Sequence, residues 1–231
     1  MNGFDTGIID ALNHIAREWK TFASFVVLLS NLELAKGGVF MAFLWWVWFR
    51  DAGEGRGKRD YVVSAVVVAV VAVLGARALA HVFPYRDRPV YSASFAFTRP
   101  YALEPDQLQT WSSFPSDHAA LFFALATSLF FTWRPLGIFA AVYAMIFIML
   151  PRLYLGIHWP TDIIAGGAIG AGLAWVGSLE RVRSWLSRPA FALLDAQPGV
   201  FYALFFVVTY QIAVLFTDGR NVASFLHHSL L

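Results

Sequence analysis

Residues able to act on an anion gather in three short stretches of this chain, His81 to Pro89, Pro115 to His118 and Arg152 to Asp162. Each stretch opens or closes an apolar run. Ionisable groups are costly in or beside hydrocarbon, so arginines and histidines collected at such boundaries point to function. In the third stretch Pro160 suits the first turn of a helix, where its missing N–H would have no partner. His158 and Asp162 then stand four residues apart on one face. There the carboxylate can accept a hydrogen bond from one imidazole nitrogen and leave the other free to attack an electrophile. Arg152 can hold phosphoryl oxygens in its planar fork. A plainer account also fits, in which Asp162 complements a helix dipole and His158 sits at an interface.

The second stretch places Ser116 as the N-cap of an apolar helix, and the free backbone N–H groups of a helix start attract anions. His118 in the first turn would project towards such an anion and could protonate a departing oxygen. Simple capping explains Ser116 and Asp117 but gives no reason for His118. In the first stretch, Arg77 lies one turn before His81 and either binds phosphate or snorkels towards headgroups. Arg86 and Arg88 follow, and Arg88 is assigned to phosphate because Pro89 stiffens its neighbourhood.

The elements that must position these groups are membrane helices. The chain of 231 residues is 58% hydrophobic and 14% charged, with mean hydropathy +0.60, a profile foreign to soluble domains. Apolar runs able to span about 30 Å of hydrocarbon fall at 34–49, 61–83, 117–133, 135–151, 160–179 and 200–217. The fold class is therefore all-α, a polytopic membrane helix bundle of about six transmembrane helices. Residues 8–30 pair Ile8, Ile9, Leu12 and Ile15 with Asn13, Arg17 and Lys20, which predicts an N-terminal amphipathic helix leading into a short apolar stretch. Glu33 and Lys36 fall in a turn before the first span, or pair within it. No repeat or long linker divides the chain, so 1–231 reads as a single domain. Gly166 and Gly170 give the 160–179 span a small-residue face, expected to pack on a neighbouring helix of the same protomer.

Several classes are excluded. A net charge of +2, spread over short inter-helix segments, implies no nucleic-acid partner. The absence of cysteine removes disulfides, thiolate nucleophiles and cysteine metal sites. The first twenty residues lack the pattern of a cleavable signal peptide. Arg50, Arg56, Lys58 and Arg59 share a side with Arg181, Arg183 and Arg188, because an even number of spans separates them. The positive-inside rule makes that side cytoplasmic and sets the polar stretches outside. The longer outer loop adds Tyr85, Tyr91, Phe95, Phe97, Tyr101 and Trp111, which suit the headgroup level or would gather substrate.

The three stretches, in this order and spacing, resemble the type 2 phosphatidic acid phosphatase (PAP2) superfamily, with motifs Lys-x6-Arg-Pro, Pro-Ser-Gly-His and Ser-Arg-x5-His-x3-Asp. Arg88 and Pro89 match the end of the first, Pro115, Ser116 and His118 the second, and Arg152, His158 and Asp162 the third, with a catalytic core of about 60–179. The resemblance implies that His158 is the nucleophile of a phospho-histidine intermediate, Asp162 its orienting partner and His118 the general acid. Arg88, Arg152 and Ser116 would bind the phosphoryl oxygens, with no metal and no cofactor. His81 stands where the family has lysine, so His81 or Arg77 would supply that cation. Pro151 stands where serine precedes arginine. Asp117 replaces glycine and would repel an anion unless turned away, protonated or paired with Arg86 or Arg88. The Pro-Ser-Asp-His variant resembles the bacterial undecaprenyl-diphosphatase branch. The expected activity is hydrolysis of a lipid phosphate or diphosphate, with undecaprenyl diphosphate first, at the outer face of a cytoplasmic membrane. Phosphatidylglycerophosphate, phosphatidate and lipid A phosphate are rival substrates, and phosphotransfer is a rival reaction. A non-catalytic lipid-phosphate carrier is the alternative of another class, and a vanadate-dependent oxidase fits less well, given the many spans and the lack of a large soluble body.

Overall fold

The computed structural model describes residues 2–50, 57–100 and 111–216; Arg56, Tyr101, residue 217 and the Arg17 side chain, invoked above, lie outside the described residues. Within these bounds every regular element is a helix. Helices α1 (Gly3–Glu18) and α2 (Lys20–Asn31) precede a π-helical turn, Leu34–Gly38, that runs on into α3 (Val39–Arg50). Then come α4 (Arg59–Val82), a 3-10 turn at Pro89–Tyr91, α5 (Asp117–Thr132) and α6 (Arg134–Tyr143). A second π-helical segment, Ala144–Met149, joins α6 to α7 (Leu150–Tyr154), and α8 (Pro160–Ser178), α9 (Glu180–Ala196) and α10 (Pro198–Ala213) complete the chain.

Two of these helices are long and apolar enough to cross a membrane alone, α4 and the continuous Arg134–Tyr154. Two bent pairs qualify if each is one span: α2 with Leu34–Arg50, at 64°, and α8 with α9, at 82°. Helices α5 and α10 are shorter and apolar. Leu74, Ile138, Phe139, Ile164, Trp175 and Phe206 are exposed on the outside of the bundle, a surface suited to hydrocarbon rather than water.

Helix α5 is the axis, with Ala119, Ala120, Leu121, Phe122, Ala124 and Leu125 fully buried between α4 and α8. Its small residues admit α8 closely. A Cβ at Gly166 would collide with the Ser116 carbonyl oxygen, and one at Gly170 with that of Ala120. The small-residue face of α8 is thus used inside the protomer, as expected, and dispersion over this near contact does what the hydrophobic effect does in water.

One end of the bundle is basic. Arg183 Nε lies 2.6 Å from Asp60 Oδ2, its guanidinium sits 3.9 Å over the Tyr61 ring, and Arg59 Nε donates to the Trp48 carbonyl at 3.1 Å. The start of α4 and the start of α9 therefore meet. The expected loop at 180–188 is instead the start of α9. There Arg181, Arg183 and Arg188 share a helix with Trp185, Leu186 and Phe191, so the charges hid an amphipathic pattern.

The N-terminal helix packs through polar as well as apolar residues. Asp5, Ile9, Asn13 and Ala16 are buried along one face of α1, while Phe4 and Ile15 are exposed. Its packed face is therefore mixed rather than apolar. Asn13 explains part of this, because its amide donates to the Thr98 carbonyl at 2.7 Å and accepts from the Thr98 N–H at 2.9 Å, pinning the loop after α4 to α1.

Candidate active site

The turn carrying His158 is built by backbone rules. Helix α7 ends in a Schellman motif: the Ile157 N–H bonds to the Arg152 carbonyl at 2.9 Å and the Gly156 N–H to the Leu153 carbonyl at 3.0 Å. Gly156 takes φ +67°, and a Cβ there would strike the Phe97 ring, so glycine is required twice over. Two residues later Pro160 opens α8, and the Asp162 carboxylate reaches back to accept the Trp159 N–H at 2.7 Å. His158 is caught between the two helix ends and is 3% exposed.

The hydrogen bond that fixes His158 is not the expected one. Its Nδ1 lies 2.9 Å from the Ser113 carbonyl oxygen and 3.7 Å from Asp162 Oδ2. A carbonyl only accepts, so Nδ1 carries the proton and Nε2 keeps its lone pair. Asp162 sits behind the ring as a nearby charge. Burial lowers the His158 pKa below its ordinary value, with Arg88 and Arg152 acting the same way and Asp162 opposing. The neutral, nucleophilic form is thereby favoured.

Ser116 caps α5 as expected, its hydroxyl accepting from the Ala119 N–H at 3.3 Å, and its own N–H donates to the Asp162 carbonyl at 3.1 Å. It does not line the cavity described next, because the hydroxyl is turned to the helix end. Asp117 is neutralised, but by partners other than Arg86 or Arg88. Its carboxylate takes Arg77 Nε at 3.2 Å and His118 Nδ1 at 2.8 Å. An anion that would repel phosphate thus becomes the support of a histidine, leaving His118 Nε2 available for proton transfer.

These groups surround a cavity of about 400 Å³ whose wall includes Arg77, Arg88, His118, Arg152 and His158. Arg88 Nη1 is anchored on the Ile157 carbonyl at 2.8 Å, and both Arg88 and Arg152 are 7% exposed. Planar guanidiniums held this way suit the equatorial oxygens of a phosphoryl group. Of the expected site residues, His81 stays outside. It is exposed and its ring stands 5.8 Å from that of Trp111. Among the described residues no group of three or more His, Asp or Glu side chains converges as a metal site would.

Two contributions were not foreseen. Lys36 lines the cavity and is 4% exposed; the Glu33 pair, 3.1 Å long, is therefore a feature of the wall. Leu215, beyond α10, also lines it and accepts from Arg77 Nη2 at 3.2 Å through its carbonyl. Behind the cavity, Arg86 Nη1 donates to Asp162 Oδ1 at 2.5 Å and to Thr161 Oγ1 at 2.8 Å, while Nη2 donates to Asp5 Oδ2 at 2.6 Å. Asp5 further accepts the Thr161 N–H at 2.9 Å and its hydroxyl at 2.7 Å. Helix α1 is thus bolted to the start of α8 next to His158. A lone Asp in the first turn gave no hint of this, since its partners are over 80 residues away.

Comparison with known proteins agrees with this geometry. The chain is 30% identical over 166 residues to YbjG of Escherichia coli, whose name carries a provisional undecaprenyl-diphosphatase assignment; the match covers 66% of this chain and 75% of that one. It is 28% identical over 184 residues to the lipid A 1-diphosphate synthase of Escherichia coli, covering 74% of each. Identity is 32% over 120 residues, half of each chain, with the undecaprenyl-diphosphatase of Sulfolobus acidocaldarius. The fold is similar to the crystal structure of Aquifex aeolicus LpxE, at TM-score 0.53 and 20% identity, over 76% of this chain and 95% of that one. The PAP2 superfamily model matches residues 60–184, a segment that holds His118, His158, Asp162 and the cavity arginines Arg77, Arg88 and Arg152, and this chain belongs to that superfamily.

Proposed function

We propose that this protein is a membrane lipid phosphatase that works through a phospho-histidine, with undecaprenyl diphosphate as its preferred substrate. The observation that carries the mechanism is His158, whose Nδ1–H is held by the Ser113 carbonyl while the ring borders a cavity with Arg88, Arg152 and His118. Nε2 attacks phosphorus in line, and the guanidiniums stabilise the equatorial charge. His118 gives its proton to the departing oxygen, and water then cleaves the phosphorus–nitrogen bond. Relatives named as undecaprenyl-diphosphatases support the substrate. The relative named as a lipid A 1-diphosphate synthase favours a second reading, transfer of the phosphoryl group to another lipid.

The chain forms one integral-membrane domain with six crossings: Leu34–Arg50, α4, α5, Arg134–Tyr154, α8 and α10. Helices α1 and α2 lie on the outer face without crossing, because Asp5 and Asn31 both meet the site end. The basic end faces the cytoplasm and the cavity opens on the outer side of the inner membrane. The test is inorganic phosphate release by the purified protein in detergent with EDTA. Undecaprenyl diphosphate, phosphatidylglycerophosphate and phosphatidate are offered side by side, with His158→Ala as control. Release favouring the diphosphate and abolished in the variant is expected; an equally active variant would refute the phospho-histidine.

A further inference from the structure

We propose that Lys36 forms a second phosphate subsite, which binds the lipid-linked phosphate of a diphosphate substrate while the terminal phosphate meets His158. This rests on the phosphatase reading above. The side chain of Lys36 is buried in the cavity wall with Arg88, Arg152 and His158. Its ammonium donates to the Ser30 carbonyl at 2.6 Å and to Glu33 Oε1 at 3.1 Å. An ammonium has three donors, so one remains for whatever fills the cavity. The residue sits on the π-helical turn Leu34–Gly38, an irregularity often found where a helix serves a site. Its neighbour Gly37 lets the Ala213 carbonyl pack against that turn, since a Cβ there would collide with it, and this fixes the lysine's base.

Position assigns the phosphate. An apolar groove of about 290 Å³ runs beside α2, lined by Val26 and Leu29 and, across from them, by Pro151 and Tyr154. The next residues along, Ser30 and Arg152, line the polar cavity. Groove and cavity are thus neighbours along α2 and α7, and on this proposal a hydrocarbon chain in the groove presents its headgroup at the Ser30 and Lys36 edge. Of two linked phosphates, the one joined to the lipid stays at that edge and the terminal one goes further in.

The chemistry needs a cation there. Attack by His158 Nε2 forms a nitrogen–phosphorus bond to the terminal phosphorus and breaks its bond to the bridging oxygen. The electron pair leaves on that oxygen, as part of a lipid monophosphate, and Lys36 faces the charge that develops. Water then hydrolyses the phospho-histidine to inorganic phosphate. With a lipid monophosphate the leaving group is an alcohol, and Lys36 has no second phosphate to hold. Lys36 thus selects diphosphates over monophosphates.

The experiment compares wild type, Lys36→Met and Lys36→Arg as full-length protein in detergent, with Lys36→Gln as a further variant should Met disturb the turn. Phosphate release from undecaprenyl diphosphate and from phosphatidate gives kcat/KM for each. Lys36→Met is expected to lose on the order of tenfold or more on the diphosphate and under about threefold on the monophosphate, with Lys36→Arg restoring most of the difference. Equal losses on both substrates, or none on the diphosphate, would overturn the subsite. Binding of farnesyl methylenediphosphonate against farnesyl phosphonate reads the same preference without turnover. An inactive wild type that prefers the diphosphonate through Lys36 would sink the phosphatase reading and support the subsite; no preference would sink the subsite.

Discussion

On the proposed mechanism, His158 is an ordinary imidazole prepared as a neutral nucleophile. The Ser113 carbonyl fixes its tautomer at 2.9 Å, and burial, helped by Arg88 and Arg152 against Asp162, lowers its pKa. The group must be unprotonated to attack, so activity is present above its pKa and lost as pH falls through it. The acid limb of the kcat/KM profile is therefore expected below the ordinary histidine value of about 6.5; a limb at 7 or above would show that the imidazole is not shielded as described. Much of this residue set was legible in the sequence, because His118, His158, Arg88 and Arg152 gather at the ends of apolar runs, where ionisable groups are costly. What could not be read was the partner of each group. The acceptor for His158 is a main-chain oxygen 45 residues away, and Asp117 found Arg77, 40 residues away, rather than Arg86 or Arg88.

Element by element, the sequence was most informative where hydropathy alone decides and least where a helix packs through polar contacts. Apolar runs correctly marked α4, α5, α8 and α10, since a buried or lipid-facing helix needs little more than length and apolarity. Helix α1 was read only in part, because Asp5 and Asn13 are fully buried against partners far away in the chain. Their role is bracing. Asp5 ties Arg86 and Thr161 into one cluster with Asp162, so loss of Asp5 leaves Arg86 one carboxylate short beside the His158 turn. Asp5→Ala is expected to cost about 3 kcal/mol of stability, the low end for breaking a buried pair because the Arg86 side chain is 27% exposed. It should also lower kcat about tenfold with little change in KM, since no substrate-facing group is removed. Thermal unfolding and steady-state kinetics check both, and an unchanged kcat would show that α1 does not position the site.

At the scale of the molecule, charge is sorted to the two ends, with Arg59, Arg183 and Asp60 at one and the cavity at the other. The absence of cysteine makes this sidedness easy to test. On the proposed topology Ala96→Cys, in the exposed loop after α4, should react with a membrane-impermeant maleimide in intact spheroplasts, whereas Ser184→Cys on α9 should react only after permeabilisation. The reverse pattern would invert the topology. The spread of the site along the chain has a further consequence for biogenesis. Its back is braced by Asp5 and its wall includes Leu215, so both histidines are synthesised well before the compartment around them can close. Chains emerge and fold from the N-terminal side, so a chain still being inserted has His118 and His158 but lacks the last piece of the wall beside them. The cavity wall is therefore complete only once α10 has packed and brought Leu215 against Arg77.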